Sequence, residues 1–402
     1  MAAKRSNHKK WRFFVALLVT TLICAGGAVF VYQKPVPALS SKIIETVPAK
    51  SVTLPWPTYG QAAFGASGYG VLATHGVQKP VPTASVAKVM TALAVLSKHP
   101  LALGEQGPTI TLTQHDQAVY DSYYVQGGSL VAIKPGEKIT EYQALQAMLL
   151  PSANNMADTL ATWAFGSIEK YATYANQFAP AHSMHDTTIA DASGFSPKTM
   201  STANDLVLLG QMALEHPVLA QVVAQKTAKV PIAGTIHNVN WLLGEDGVNG
   251  IKTGATDQAG AVYLASTKKK LPDGQNITFV TAIMKAPMLL RAMDDARSIM
   301  DTAPKYFAPK TPVLADQRLG TFVTPWDNRK VRAVATHNLS LRAWQGNTLE
   351  TRVEFDHVTG PLKAGTRVGT VTAINGKQTI STSIVLSENM TGPSLKWRAQ
   401  HL

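Results

Sequence analysis

Twenty residues from Phe13 to Tyr32, FFVALLVTTLICAGGAVFVY, pass without a charge. As a helix rising 1.5 Å per residue, such a run spans about 30 Å of hydrocarbon. Lys4, Arg5, Lys9, Lys10 and Arg12 precede it with no acid among them, which keeps the N-terminus inside and sends the rest outside. The expectation is a cytoplasmic basic segment (1–12), a single-pass signal-anchor in the cell membrane (13–32) and an extracytoplasmic remainder. A cleaved signal peptide, with secretion, is the rival reading. Its site would be Ala38-Leu39-Ser40, several residues past the apolar run. Pro35, Pro37, Pro48, Pro55 and Pro57 predict a semi-extended linker over 33–58.

From Tyr59 the pattern becomes globular. TYGQAAFGASGYGVLATHG predicts a strand pair punctuated by glycines. Residues 84–98, ASVAKVMTALAVLSK, are apolar nearly all round and predict a buried central helix. ITEYQALQAMLLPSANNMADTLATWA predicts two helices parted by a Pro-Ser break, and NDLVLLGQMALEHP a further helix closed by Pro217. ITFVTAIM, residues 277–284, predicts a buried strand, with RAMDDARSIMDTA a helix after it. This mixture predicts an α/β (α+β) domain over 59–307, a sheet covered by helices. Residues 308–402 differ. The period-two runs TRVGTVTAI and QTISTSIVL, joined at Asn375-Gly376, carry a type I′ hairpin signal and predict a separate small all-β domain.

Charge and cysteine content narrow the partners. The net charge is +12, and residues 308–402 hold twelve Lys/Arg against six Asp/Glu. A basic balance suits an anionic envelope or membrane surface; no nucleic-acid-binding pattern is present, so no nucleic-acid partner is expected. Cys24, the one cysteine, lies inside the apolar segment, which excludes disulfides and thiolate metal sites. His182 and His185 have helical spacing but lack the glutamate and third ligand of a zinc protease. They are expected to face solvent. No metal and no cofactor are expected.

The chemistry concentrates in Ser85-Val86-Ala87-Lys88, Ser152-Ala153-Asn154 and Lys252-Thr253-Gly254. S-x-x-K occurs four times, starting at Ser6, Ser85, Ser167 and Ser266. Ser167 opens a polar helix and Ser266 sits in a basic stretch expected to be a solvated turn. Only Ser85 opens a strongly apolar helix, which puts a lysine where stability does not want one. Residues i and i+3 share a helix face, so Lys88 points toward Ser85. Burial lowers a lysine pKa toward neutrality and makes the amine a general base. The bland alternative is a serine cap with a snorkelling lysine. Ser152 and Asn154 follow a helix break, where polar groups can project into a cleft. Lys252 offers charge to a carboxylate, Thr253 a hydroxyl, and Gly254 close approach to a strand edge.

On these residues the sequence resembles the serine D-alanyl-D-alanine carboxypeptidases of the low-molecular-weight penicillin-binding proteins (serine peptidase S11 type), over roughly 55–307. PTASVAKVMTALAVL looks like that family's nucleophile helix, and GSLVAIKPGEKITEYQALQAMLLPSANNMADTLA like the stretch through its second motif. TTIADASGFSPKTMSTANDLVLLG and VNGIKTGATDQAGAVYLAS look like its later signatures. The resemblance implies a penicillin-binding, β-lactamase-like transpeptidase fold with a small all-β C-terminal domain. It implies that Ser85 is the acyl-accepting nucleophile and Lys88 its base. Ser152 and Asn154 would complete a proton-relay cluster, and Lys252 and Thr253 hold the terminal carboxylate. The backbone N–H groups of Ser85 and Ala255 would form an oxyanion hole beside Gly254. The implied partners are a peptidoglycan stem peptide ending in D-Ala-D-Ala, β-lactams, and the cytoplasmic membrane through the N-terminal helix. Ala153, Asn155 and Ala255 depart from the family's usual Gly, Asp and His. A D,D-endopeptidase keeps every one of these residues. A class A-like β-lactamase would need Glu-x-x-Leu-Asn between Asn154 and Lys252, and no such string occurs. A non-catalytic β-lactam or wall-binding protein would need vestigial motifs, against an intact Ser85 and Lys88.

Overall fold

The structure, a computed structural model, describes residues 4–33, 36–37, 42–324 and 326–401; Ala38-Leu39-Ser40 lies outside them. The chain divides into two compact units. One holds Met1–Pro48, Pro309–Arg342 and Thr348–Leu402, the other Ala49–Ala308 and Ala343–Asn347. Lys4–Gln33 form helix α1, whose side chains are exposed from Lys10 to Gly26. Among the described residues no single helix is long and apolar enough to cross a membrane.

The expected linker over 33–58 is corrected. Lys42–Val47 form strand β1, paired antiparallel with Leu349–Phe355. Residues from Ala49 onward pack into the second unit, where Leu54 is buried and Thr53 bonds the Tyr306 hydroxyl through both backbone groups. Prolines mark the ends of these segments, but an extended backbone with free N–H and C=O groups pairs wherever a sheet edge offers partners.

In the second unit, Gln61–Ala66 (β2) and Gly70–His75 (β3) form the hairpin that the glycine spacing predicts. A single 3₁₀ turn, Ala84–Ala87, leads into α2 (Lys88–Lys98), buried on every side from Lys88 to Leu96. Helices α3 (Gln114–Val125) and α4 (Glu141–Leu149) each start on a capping box, Thr113 with Asp116 and Thr140 with Gln143. The Pro-Ser break separates α4 from α5 (Asn154–Phe165). Ser167 caps α6 (Ile168–Ala181) through Lys170 N, so that S-x-x-K match is a helix start. Pro217 does not close α7 (Ala203–Glu215) so much as open α8 (Pro217–Val223). Its missing N–H is harmless in a first turn.

Val248–Thr256 (β4), Gly260–Lys270 (β5) and Asn276–Ala286 (β6) complete the sheet, followed by α9 (Leu289–Thr302). The order is β4-β5-β6-β2-β3, antiparallel throughout. Side chains alternate across a strand. Phe64, Tyr263, Phe279 and Ile283 join α9 and Trp344 in one core, while Ala63, Leu264, Val280 and Ala282 join α2, α5 and α7 in the other. Both faces are covered, giving the expected sheet between helical layers. Ser266 corrects a sequence expectation: it is buried on β5 and donates to Asn249 Oδ1, outside any solvated turn.

The other unit carries a six-stranded antiparallel sheet. Arg318–Val323 (β7), Lys330–Ala335 (β8), Leu349–Phe355 (β9), Arg367–Asn375 (β10) and Gln378–Leu386 (β11) run in the order β7-β8-β11-β10-β9-β1. Leu395–His401 form α10. The expected β10–β11 hairpin is present, but Asn375 pairs with Gln378, so its central residues are Gly376 and Lys377. Of these only Gly376 has positive φ, at 61°. That is the pattern of a type II′ turn, glycine first, in place of the expected I′.

Candidate active site

Ser85 lies in the 3₁₀ turn and Lys88 opens α2, so one turn of backbone sets their separation. Lys88 Nζ is 2.9 Å from Ser85 Oγ, 2.7 Å from Asn154 Oδ1 and 2.8 Å from Ser193 O. Its side chain is fully buried. Burial lowers the amine to about 7, against the opposing pull of Asp191 and Asp158. The neighbours then decide where the lone pair goes. An amide oxygen and a backbone carbonyl can only accept, so each takes one N–H of Lys88. A neutral amine has two, which leaves its lone pair facing the Ser85 hydroxyl.

Ser152 sits in the helix break at φ 69°. A left-handed residue with a side chain costs about 1–3 kcal/mol and is kept where the surroundings require it. The Ser152 hydroxyl accepts from Lys252 Nζ at 2.9 Å. Lys252 also donates to Thr253 O at 2.9 Å. Burial, reinforced by the neighbouring Lys88 charge, pushes the Lys252 amine well below its ordinary range. Lys252, Thr253, Gly254 and Ala255 all lie on β4, at the edge of the sheet. A Cβ on Gly254 would stand 2.7 Å from Ser85 N and 3.2 Å from Val86 N. The strand therefore runs against the backbone of the nucleophile turn, and only glycine fits. Ala255 is exposed just beyond.

Of the residues expected from sequence, Lys88 bonds Ser85 and Asn154, Lys252 bonds Ser152, Gly254 packs on the Ser85 turn, and Thr253 and Ala255 flank Gly254 on the same strand. Others had no role assigned from sequence. Ser193 supplies a carbonyl to Lys88; its hydroxyl donates to Asp191 Oδ2 at 2.9 Å and lies 3.1 Å from the Tyr123 hydroxyl. Gly194 lets this loop in: its φ is 72°, and a Cβ there would fall 1.9 Å from Ala84 O. Tyr123 donates to Asp158 Oδ2 at 3.0 Å. Asp158 stands one helical turn after Asn154, a spacing visible in sequence, whereas nothing local marks Tyr123 or Ser193. Asn155, at a position of departure, bonds both backbone groups of Val131, taking its N–H at 3.2 Å and giving to its C=O at 3.0 Å. One side chain with both a donor and an acceptor does this; a carboxylate could not. Arg291 is exposed and paired with Asp295, as a surface arginine. Among the described residues no group of three or more His, Cys, Asp or Glu is placed to hold a metal ion.

A sequence profile of the D-alanyl-D-alanine carboxypeptidase family, peptidase S11, matches residues 65–287. The chain is 26% identical over 338 residues to the D-alanyl-D-alanine carboxypeptidase DacC of Escherichia coli (strain K12), covering 80% of this chain and 81% of that one. It is 28% identical over 209 residues to a D-alanyl-D-alanine endopeptidase of Pseudomonas aeruginosa, covering 49% of this chain and 63% of the relative. Penicillin binding protein 5 from Haemophilus influenzae shares the fold, with a TM-score of 0.62 at 17% identity over 85% of this chain and 100% of that one. The profile spans more than half the sequence and encloses Ser85, both buried lysines and the helix break between α4 and α5; the chain belongs to the D-alanyl-D-alanine carboxypeptidase family.

Proposed function

We propose that this serine D-alanyl-D-alanine carboxypeptidase removes the terminal D-Ala of peptidoglycan pentapeptides through an acyl-enzyme on Ser85. The observation that carries this is the fully buried Lys88 amine, 2.9 Å from the Ser85 hydroxyl with its two N–H groups engaged elsewhere. Lys88 takes the hydroxyl proton as Ser85 Oγ attacks the carbonyl of the penultimate D-Ala. The oxyanion forms beside the Ser85 backbone N–H, against which Gly254 packs. Ser152, held by Lys252, passes the proton to the departing amine, and the peptide C–N bond breaks. Lys252 and Thr253 orient the substrate carboxylate. Water then hydrolyses the Ser85 ester, with Lys88 again as base, and restores the enzyme. A β-lactam offers its amide carbonyl to the same nucleophile and leaves Ser85 acylated.

The endopeptidase reading uses the same residues, and the Pseudomonas relative carries that name; cleavage of a cross-linked muropeptide dimer measures it. The N-terminal helix is read as a membrane anchor, supported by the charge-free Phe13–Tyr32 run and by the exposure of its apolar side chains. Ser85→Ala tests the main reading. It should abolish both D-Ala release and the penicillin adduct seen by intact-mass spectrometry; retention of either removes Ser85 from the role.

A further inference from the structure

Behind the catalytic amine, α2 carries a second polar group on the face that holds Lys88. Thr91 lies three residues on, one helical turn away, and is fully buried. A threonine inside a helix commonly turns its hydroxyl back to the carbonyl four residues earlier. Here that carbonyl, Ala87 O, is 3.5 Å away, while Ala192 O is at 2.6 Å. The hydroxyl has left its own helix for the 191–196 loop.

Tyr171 of α6 completes the arrangement. Its side chain is fully buried, with the hydroxyl 2.8 Å from Thr91 Oγ1. A carbonyl can only accept, so the single Thr91 proton goes to Ala192 O and the Tyr171 hydroxyl donates to Thr91. Donation into a hydroxyl strengthens the bond that hydroxyl makes onward, in keeping with the shorter second link. A phenyl ring alone would fill the same place in the core. The tyrosine adds a buried polar group that needs a partner, and its hydrogen bond goes to Thr91.

Ser193 is thereby held from both sides. The Ala192 carbonyl before it is fixed to Thr91, and Gly194 after it packs on the Ala84 carbonyl. Ser85, Lys88 and Thr91 belong to one continuous turn and helix, so the loop is pinned to the element that bears nucleophile and base. We propose that Thr91 and Tyr171 are positioning residues for the catalytic base: through the Ala192 carbonyl they keep the Ser193 carbonyl on Lys88, and the Lys88 lone pair on Ser85. This rests on Lys88 being the base that activates Ser85.

The test is stopped-flow acylation of the full-length enzyme by a chromogenic β-lactam across the acid limb of its pH profile. Rates are taken per site titrated by penicillin in intact-mass spectra. Thr91→Val keeps the branched shape and removes the hydroxyl. Its limiting rate should fall by between about tenfold and about 10²-fold, the scale of a ~1 Å misplacement. A carbonyl that accepts an N–H favours the charged amine. Loosening it should therefore move the acid limb, set by Lys88 at about 7 in the unmodified enzyme, to lower pH. Asp158, Asp191 and Lys252, the charged groups acting on or with Lys88, stay in place in every variant, as does Tyr123 beside them. Thr91→Ser restores the hydroxyl and should return the rate to within about threefold, whereas Tyr171→Phe should cost about threefold and move the limb the same way. An acid limb unmoved in both Thr91→Val and Tyr171→Phe, or Thr91→Ser as slow as Thr91→Val, overturns the proposal. Where Thr91→Val does not fold, the limb of Tyr171→Phe alone decides. An unmodified enzyme acylated without any transition near pH 7 would instead remove Lys88 as the base, and with it the purpose of the clamp.

Discussion

The two catalytic lysines and the surface ion pairs of the β-unit treat charge in opposite ways. In the catalytic unit Lys88 and Lys252 are buried to 0% and 2% exposure, and among the described residues neither forms an ion pair. Hydroxyls and carbonyls surround them instead. In the β-unit three paired cations stay near water, Arg329 with Glu388, Arg352 with Glu350 and Arg367 with Asp356, all with partly exposed side chains, whereas Arg398 on α10 is buried. An exposed pair gains little because water screens it. A lysine stripped of water without a carboxylate is costly, and the cost falls on the charged form. The exposed pairs are nearly neutral for stability; the buried Lys88 holds an amine ready to accept a proton.

Restoring a permanent charge at the buried position is the strongest way to break this contrast. Lys88→Arg should lower acylation by about 10²–10⁴-fold, the range of a lost general base, because a guanidinium does not deprotonate near neutral pH. Stopped-flow acylation with a chromogenic β-lactam measures it, and a rate within tenfold of the original would reject the base assignment. Next in size is Gly254→Ala. Its Cβ would displace the Ser85 turn, and a misplacement of that order costs about 10²-fold in kcat. Normal kcat would mean that the strand and the turn do not need their close approach.

The pH profile is a milder probe. Lys88 acts only when neutral, and burial sets its transition at about 7. Lowering the pH protonates it and fills the lone pair, so kcat/KM should fall by about tenfold per unit below that point and level off above it. A flat profile between pH 5 and about 7 would contradict a titrating base. The smallest effect belongs to the β-unit. Arg329→Ala should change unfolding free energy by no more than about 1 kcal/mol, checked by urea denaturation. A larger loss would show that surface pairing in this sheet carries more than screening allows.

Short-range pattern made most of the catalytic fold legible. The strands at Gln61–Ala66, Gly70–His75 and Asn276–Ala286 and the helix break at Pro151-Ser152 fall where alternation, glycine and proline place them. Ser85 and Lys88 were legible for the same reason, since one helical turn fixes their relation. Lys42–Val47 was not. The prolines that flank it suggest a tether, while its pairing partner lies some three hundred residues away. Ser193 and Tyr123 were equally silent, because a backbone carbonyl and a tyrosine on a helix without buried residues carry no local signature.

The sequence by itself determined which residues could do chemistry: a serine and a lysine one turn apart on an apolar helix, a polar pair after a break, and a lysine two places before a glycine. Spacing along a regular backbone is a local property, and local geometry follows from the chain. Tertiary structure alone decided that Lys88 is dry, that two carbonyls from distant segments turn its lone pair toward Ser85, and that a strand edge presses on the nucleophile turn. Desolvation and carbonyl placement depend on what packs around a group, and that is settled only when the whole core closes.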